Sequence, residues 1–300
     1  MSTRTQGKLL TRHRATAITA LIAAIMVNTC ASAAIDLSPL WDFQNPAVSE
    51  QRFRAALATA NADDQLILQT QIARTYGLRR DFLTARELLA DIAAAQANGS
   101  AEAQARYQLE LGRTYASATH PQPMLDRDIA KSHYQKAFEI AERARLDYLA
   151  VDALHMMPFV ETDPAKKVEW NERAIAFVMK SDQPDAKRWE GSLRNNIGYA
   201  LHVKGDYENA LREFRLSRAA FETADRRKEV RIADWMIAWT LRAQKKYRDA
   251  LLIQQRIERE WDAAGESDPY VYEELELLHR ALGNEAEAGR YAVKRKTGKQ

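Results

Sequence analysis

The sequence has little that covalent or metal chemistry could use. Its 300 residues include a single cysteine, Cys30, so an intramolecular disulfide and a metal site built from several cysteines are excluded. It also lacks the nucleophile-elbow, zinc-helix, phosphate-loop and EF-hand motifs. The six histidines are scattered along the chain. We therefore predict a protein that is not an enzyme and that holds no cofactor and no metal.

The chain also lacks an apolar run of the roughly 20 residues that a membrane-spanning helix needs. A shorter apolar run, residues 15–27, follows a segment with four basic residues and no acidic one, and it precedes Ala31-Ser32-Ala33. This order is typical of a secretory signal peptide. We predict cleavage after Ala33, so that the mature chain begins at Ala34 and is periplasmic or secreted.

Two other fates of the N-terminal segment stay open. Residues 27–30 weakly resemble the motif around a lipidated cysteine, which would here be Cys30. An alanine-rich apolar run can also remain uncleaved as an anchor. No second such run follows in the sequence, so either fate would attach the protein to a membrane only through its N-terminal segment.

An excess of one charge sign is absent too. The whole chain has 44 basic and 41 acidic residues, a formal net charge of +3. Removal of residues 1–33 takes away four basic residues and no acidic ones, which leaves a net charge of −1. The basic character therefore belongs to the targeting segment, and we predict no nucleic-acid partner.

Helical periodicity dominates what is present. Residues 35–46 contain two prolines and predict an extended lead-in, whereas from Ser49 onward apolar residues recur at i, i+3, i+4 and i+7. No segment alternates with the period of a strand, so the protein is predicted to be all-α. Prolines are expected to lie between helices or in first helical turns. These prolines are Pro121, Pro123, Pro158, Pro164, Pro184 and Pro269.

A repeat runs through these helices. Its clearest copy is Ile197-Gly198-Tyr199-Ala200-Leu201, followed by Gly205-Asp206-Tyr207 and then by Ala210 and Phe214. This copy resembles the tetratricopeptide repeat (TPR), with a small residue on a first helix and Ala and an aromatic residue on a second. The small positions that mark successive units are Ala73, Gly112, Ala153, Gly198, Ala238 and, by alignment, Glu276. These markers lie farther apart than the TPR period of about 34 residues, which implies longer helices or loops.

The resemblance implies a right-handed α-solenoid of about six helix pairs over residues 65–300. A signal peptide (1–33) and a lead-in with an N-terminal helix (34–64) would precede it. In TPR proteins, first-helix residues line the concave surface, and this implies a partner-binding stripe. The residues of this stripe that we predict to bind a partner are Arg74, Arg113, Asn195, Tyr199, His202, Trp235, Trp239 and Arg242.

The tryptophans of this stripe carry the functional prediction. Trp235 and Trp239 are four residues apart and share a helix face, with Arg242 one turn beyond. Large aromatic residues and arginine are enriched where proteins bind one another. We predict an exported scaffold or adaptor that binds a protein or peptide in its groove. The alternative is an envelope sensor or small-ligand-binding module that uses the Trp/Tyr/Arg cluster. The tryptophans could also simply fill the gap between repeats.

Overall fold

The computed structural model describes residues 35–116 and 125–297, and within these ranges the protein forms helices and no strand. The all-α prediction is confirmed. The predicted signal peptide, Cys30, Pro121 and Pro123 lie outside the described residues. In the described ranges, no helix combines the length and the apolar character that crossing a membrane requires.

A short 3-10 helix, Ser38–Leu40, precedes the α-helices. These are α1 (Pro46–Leu57), α2 (Ala62–Leu78), α3 (Phe82–Gln96), α4 (Ala101–Ala116), α5 (Arg127–Arg143), α6 (Asp147–Val160), α7 (Pro164–Lys180), α8 (Pro184–Lys187), α9 (Glu190–Lys204), α10 (Tyr207–Thr223), α11 (Arg227–Ala243), α12 (Tyr247–Ala263), α13 (Pro269–Ala281) and α14 (Glu285–Thr297).

Six of the connections join helices into pairs: α2 with α3, α4 with α5, α6 with α7, α9 with α10, α11 with α12, and α13 with α14. The second helix of each pair also packs on the first helix of the next pair. First helices contact one another directly, as α2 does with α4 and α11 with α13, so they form the inner side of the stack. The predicted α-solenoid of six helix pairs is confirmed.

Glycines on the first helices allow the close approach within pairs. A Cβ atom at Gly112 would lie 2.6 Å from the ring of Tyr134, and one at Gly198 would lie 2.6 Å from the ring of Phe214. Both rings are fully buried. The marker glycines of the repeat therefore provide the surface on which a second-helix aromatic ring packs.

Two local expectations were wrong. Pro158 lies inside α6 and not between helices, because the helix continues to Val160, two residues past the proline. A proline this close to a C-terminus disturbs only the last turn. The lead-in contains the 3-10 helix and is not simply extended, since Trp41 stacks on Phe43 with ring centroids 4.5 Å apart and packs edge-on against Phe53.

Candidate partner-binding surface

One register position on the inner side distinguishes the two ends of the solenoid. It is the residue that follows the small marker residue of each first helix. From the N-terminal pair to the C-terminal pair, this position holds Arg74, Arg113, Leu154, Tyr199, Trp239 and Leu277. At this position the protein thus has arginine in its first two helix pairs and a large apolar side chain in the other four.

The arginines belong to a cluster that we call the ion-pair surface: Arg74, Glu110, Arg113 and Asp152. Arg113 Nη2 donates to both carboxylate oxygens of Asp152, at 2.6 and 2.7 Å. Glu110 Oε1 accepts hydrogen bonds from Arg113 and, at 3.2 Å, from Arg74. Both acids are only 3–4% exposed. Because Arg74 lies on α2, Arg113 on α4 and Asp152 on α6, the cluster ties three first helices together.

Opposite charges keep Asp152 and Arg113 ionised although both are buried. Burial by itself raises the pKa of Asp152. The neighbouring positive charges of Arg113 and Arg74 lower that pKa by more than burial raises it, so the pKa of Asp152 lies below its ordinary value. Burial disfavours the charged form of Arg113, yet Asp152 and Glu110 raise its pKa above the usual value. The predicted site residues Arg74 and Arg113 are therefore already paired with the protein's own carboxylates.

The second cluster, which we call the aromatic surface, comprises Tyr199, His202, Trp235 and Trp239. The Trp239 ring lies at its centre: Tyr199 and Trp235 stack beside it with centroids 5.9 Å away, and His202 stacks on it at 3.3 Å. The Tyr199 side chain is 53% exposed, and both tryptophans are half-buried. Side chains of α9 and α11 thus form one continuous aromatic series that solvent reaches.

His202 is a packing residue of this surface. Thr240 Oγ1 donates its proton to the Met236 carbonyl at 2.8 Å, so the hydrogen bond of 2.9 Å between His202 Nδ1 and that oxygen is donated by the ring. Burial and the positive charge of Arg242 lower the pKa of His202 to about 4. The imidazole is therefore neutral at pH 7 and lies flat against Trp239.

Arg242 and Trp235 connect the aromatic surface to α13. Arg242 forms two parallel hydrogen bonds with the buried Glu274, Nε to Oε2 at 2.7 Å and Nη2 to Oε1 at 2.8 Å. Trp235 Nε1 donates to the Tyr270 carbonyl at 3.3 Å. The structure therefore gives Arg242 a structural partner, while the tryptophan rings remain partly open.

Asn195 also lies on α9, one turn before Tyr199. Its Oδ1 atom is shielded from solvent and has no hydrogen-bond partner among the described residues. Its neighbour Asn196 faces the preceding first helix, with Nδ2 3.4 Å from His155 Nδ1. The eight predicted residues thus divide into Arg74 and Arg113 on the ion-pair surface and the other six around the aromatic surface.

Sequence reasoning missed the carboxylates that occupy these arginines, namely Glu110, Asp152 and Glu274. A signal for them existed. Arg113 and Asp152 are 39 residues apart and Arg242 and Glu274 are 32 apart, close to one repeat. Opposite charges at this spacing, on consecutive first helices, indicate an ion pair between neighbouring repeats.

The alternative prediction was a small-ligand pocket inside the Trp/Tyr/Arg cluster. The structure has a cavity next to that cluster and not inside it. A cavity of about 280 Å³ lies beside Trp235 and Tyr270, but neither Trp239 nor Arg242 lines it. The cavity is formed between α11, α12 and α13. It is distinct from the open aromatic surface, although Trp235 contributes to both.

Comparison with known proteins supports the fold. No family model matches the sequence, and no curated protein matches it. Among solved structures, a signal-transduction ATPase with a tetratricopeptide repeat sensor from Pyrococcus horikoshii superposes with a TM-score of 0.66 at 11% identity, over 84% of this chain. The present sequence spans only 39% of the length of that protein.

Two further structures show the same likeness. A Rap protein in complex with competence and sporulation factor has a TM-score of 0.54 at 14% identity, over 83% of this chain and 69% of its own. The quorum sensor NprR from B. thuringiensis has a TM-score of 0.53 at 11% identity, over 86% of this chain and 83% of its own. At these identities the comparisons concern the fold alone, and the predicted TPR-like helical repeat fold is confirmed.

Proposed function

We propose that this protein is an exported scaffold that binds a partner protein or peptide on the inner side of its solenoid, chiefly through the aromatic surface. The observation that carries the proposal is the stacked series of Tyr199, Trp239 and Trp235, which remains open to solvent on first helices. Solvent-exposed aromatic area on the inner side of a repeat protein is what a partner can cover.

The physical argument concerns both energy and order. Aromatic side chains carry a large share of binding energy at protein interfaces because they bury much area with few rotatable bonds. Here the Trp239 ring already stacks against Tyr199 and His202, so binding would immobilise little additional side chain. The surface is pre-ordered for contact.

The solved structures give a second line of support. One of them holds competence and sporulation factor, a second is a quorum sensor, and a third carries its repeats as a sensor. A fold of this kind therefore serves recognition in other proteins. We extend that role to this protein as part of the proposal.

Export is the other part of the proposal, and it is supported by the order of basic, apolar and Ala-Ser-Ala segments in residues 1–33. Intact-mass measurement of the protein from the producing cell tests it. We expect a mass that corresponds to a polypeptide beginning at Ala34. A mass that retains residues 1–33, or a lipid adduct on Cys30, would replace cleavage with anchoring.

Site-directed photocrosslinking tests partner binding. A benzoyl-phenylalanine in place of Tyr199 puts the reactive group on the aromatic surface with little change in shape. The matched control carries the same group in place of Leu252, which is 67% exposed on the second helix α12. We expect a discrete adduct from position 199 in the producing cell, and none of that mass from position 252.

The identity and specificity of the adduct decide the outcome. Mass spectrometry identifies the crosslinked partner, and its purified form is then titrated against the parent protein and a Trp239→Ala variant. Loss of binding by a folded variant supports the aromatic surface as the contact. Equal crosslinking from both positions, or undiminished binding by Trp239→Ala, contradicts the proposal.

A further inference from the structure

The cavity between α11, α12 and α13 has the composition of a ligand site for a small apolar molecule. At about 280 Å³ it is slightly smaller than the roughly 300–1,000 Å³ of most small-molecule sites, and this volume suits one amino-acid-sized group. Its apolar walls are formed by Ile232, Trp235, Met236, Ile257, Trp261 and Val271. Such walls favour a large aliphatic or aromatic side chain.

Arg231 lines this cavity and has no anionic partner among the described residues. Its guanidinium lies over the ring of Trp261, with Cζ 3.9 Å from the centroid, and its Nε is shielded from solvent and meets no hydrogen-bond acceptor in the part of the chain that the structure describes. Within the described ranges, every other half-buried arginine pairs with an oxygen of the protein. A half-buried cation that lacks an anion is costly, and a ligand carboxylate would satisfy it.

Asp268 supplies the opposite charge to the same cavity. Its Oδ1 accepts a hydrogen bond from the Tyr270 amide at 2.9 Å, which caps α13. It forms no ion pair with any residue of the described ranges, Arg231 included. One cavity is therefore lined by apolar walls together with a cation and an anion that form no ion pair within the described residues.

We propose that this cavity binds a free hydrophobic α-amino acid, with its carboxylate on Arg231, its ammonium group on Asp268 and its side chain among the apolar walls. An α-amino acid is the simplest molecule that carries both charges and a large apolar group. A bare carboxylate would leave Asp268 facing an anion. The end residue of a peptide would satisfy only one of the two charges.

Calorimetric titration of the purified protein tests the ligand chemistry. L-phenylalanine and L-leucine are expected to bind with dissociation constants of about 1 mM or tighter. L-serine, which lacks the apolar group, should bind at least about tenfold more weakly. N-acetyl-L-phenylalanine and L-phenylalaninamide each remove one charge and should also lose at least about tenfold. The fluorescence of Trp235 and Trp261 gives an independent signal for leucine.

Charge-removing variants test the residues. Asp268→Asn removes the anion but keeps the helix cap, since Asn caps as well as Asp. Arg231→Gln removes the cation, whereas Arg231→Lys keeps it. We expect about tenfold weaker phenylalanine binding in Asp268→Asn and Arg231→Gln, and a smaller loss in Arg231→Lys. Arg212→Gln, an exposed change on α10, is the control and should leave binding unchanged.

Several results would overturn the proposal. If neither L-phenylalanine nor L-leucine binds at concentrations up to about 10 mM, the cavity does not bind a hydrophobic amino acid. N-acetyl-phenylalanine binding as tightly as phenylalanine assigns the cavity to the terminal carboxylate of a peptide or to a simple carboxylate instead. Unchanged binding by Arg231→Gln and Asp268→Asn places the ligand elsewhere. None of these results affects crosslinking from position 199, so this inference and the partner-binding proposal can fail separately.

Discussion

The two halves of the solenoid have the same packing within their helix pairs but different side chains on their inner side. Gly112 meets Tyr134 in the N-terminal half in the same way as Gly198 meets Phe214 in the C-terminal half. The next residue along the helix is Arg113 in one half and Tyr199 in the other. The arginine is closed off by buried carboxylates, whereas the tyrosine is open to solvent. Repeat packing therefore fixes where the inner positions lie, without fixing what they do.

This difference assigns distinct roles to the halves. Buried ion pairs usually add little net stability over apolar residues, but removing one partner is costly because the other stays buried and charged. The ion-pair surface thus fixes the register of α2, α4 and α6. The aromatic surface leaves apolar area exposed, which costs solvation free energy until a partner covers it. In our proposal, one half holds its helices in register and the other supplies the contact surface for a partner.

The largest loss of stability should come from a change in the ion-pair surface. Asp152→Ala removes the carboxylate that accepts two hydrogen bonds from Arg113 and leaves Arg113 and Arg74 to share Glu110, and we expect a loss of about 3–5 kcal/mol in the free energy of unfolding. Asp185→Ala is the control, because its ion pair with Arg188 is exposed and should contribute about 0–1 kcal/mol. Denaturant unfolding measures both. A loss below about 1 kcal/mol in Asp152→Ala would show that the ion-pair surface does not hold the helices.

Changes to the glycine–aromatic contacts within the helix pairs should lower the free energy of unfolding by slightly less, and by the same amount in both halves. Gly198→Leu and Gly112→Leu each force a side chain into an aromatic ring, and we expect about 2–4 kcal/mol of destabilisation for each. Phe214→Ala in the Gly198→Leu background makes room and should recover part of the loss. An unchanged melting midpoint in either single variant would contradict the common packing of the two halves.

How much of this structure the sequence predicts depends on how far apart in the chain the interacting residues lie. Helices and their pairing are local, so the small residues at Gly112 and Gly198 and the apolar period were enough to predict six pairs. Whether an arginine is free or paired depends on a residue one repeat away, and Asp152 was not recognised as that residue. The cavity depends on Arg231, Trp261 and Asp268 from separate segments, for which no repeat position gives a signal.

The two surfaces should lose their contributions to stability at different pH values as the solution is made acidic. The pKa of His202 is lowered to about 4 from an ordinary value near 6.5, so the folded state prefers the neutral ring. Its stabilisation is complete above pH 6.5 and is lost as the pH falls towards 4, by up to about 3 kcal/mol. Asp152 has a lowered carboxylate pKa, so its contribution is lost only below about pH 4.

The variant His202→Phe keeps the ring on Trp239 and removes the titration. Its free energy of unfolding, measured between pH 7 and pH 4, should fall less steeply than that of the parent. His133 and His155 also have lowered pKa values and contribute to the slope in both proteins, so the difference between the two curves isolates His202. Superimposable slopes would mean that His202 titrates as it does in water.

The smallest effect on folding should be the most informative about function. Tyr199 is 53% exposed and forms no hydrogen bond with another described side chain, so Tyr199→Ala should change the free energy of unfolding by less than about 0.5 kcal/mol. If the aromatic surface is the contact, the same variant should lose about 1–2 kcal/mol of affinity for the crosslinked partner. Leu252→Ala, which changes a still more exposed apolar residue on the outer helix α12, should alter neither quantity. Arg242→Ala cannot serve this purpose, because it strands the buried Glu274 and mixes folding with binding. Undiminished affinity in Tyr199→Ala, alongside a loss in a variant of the ion-pair surface, would reverse the roles of the two halves.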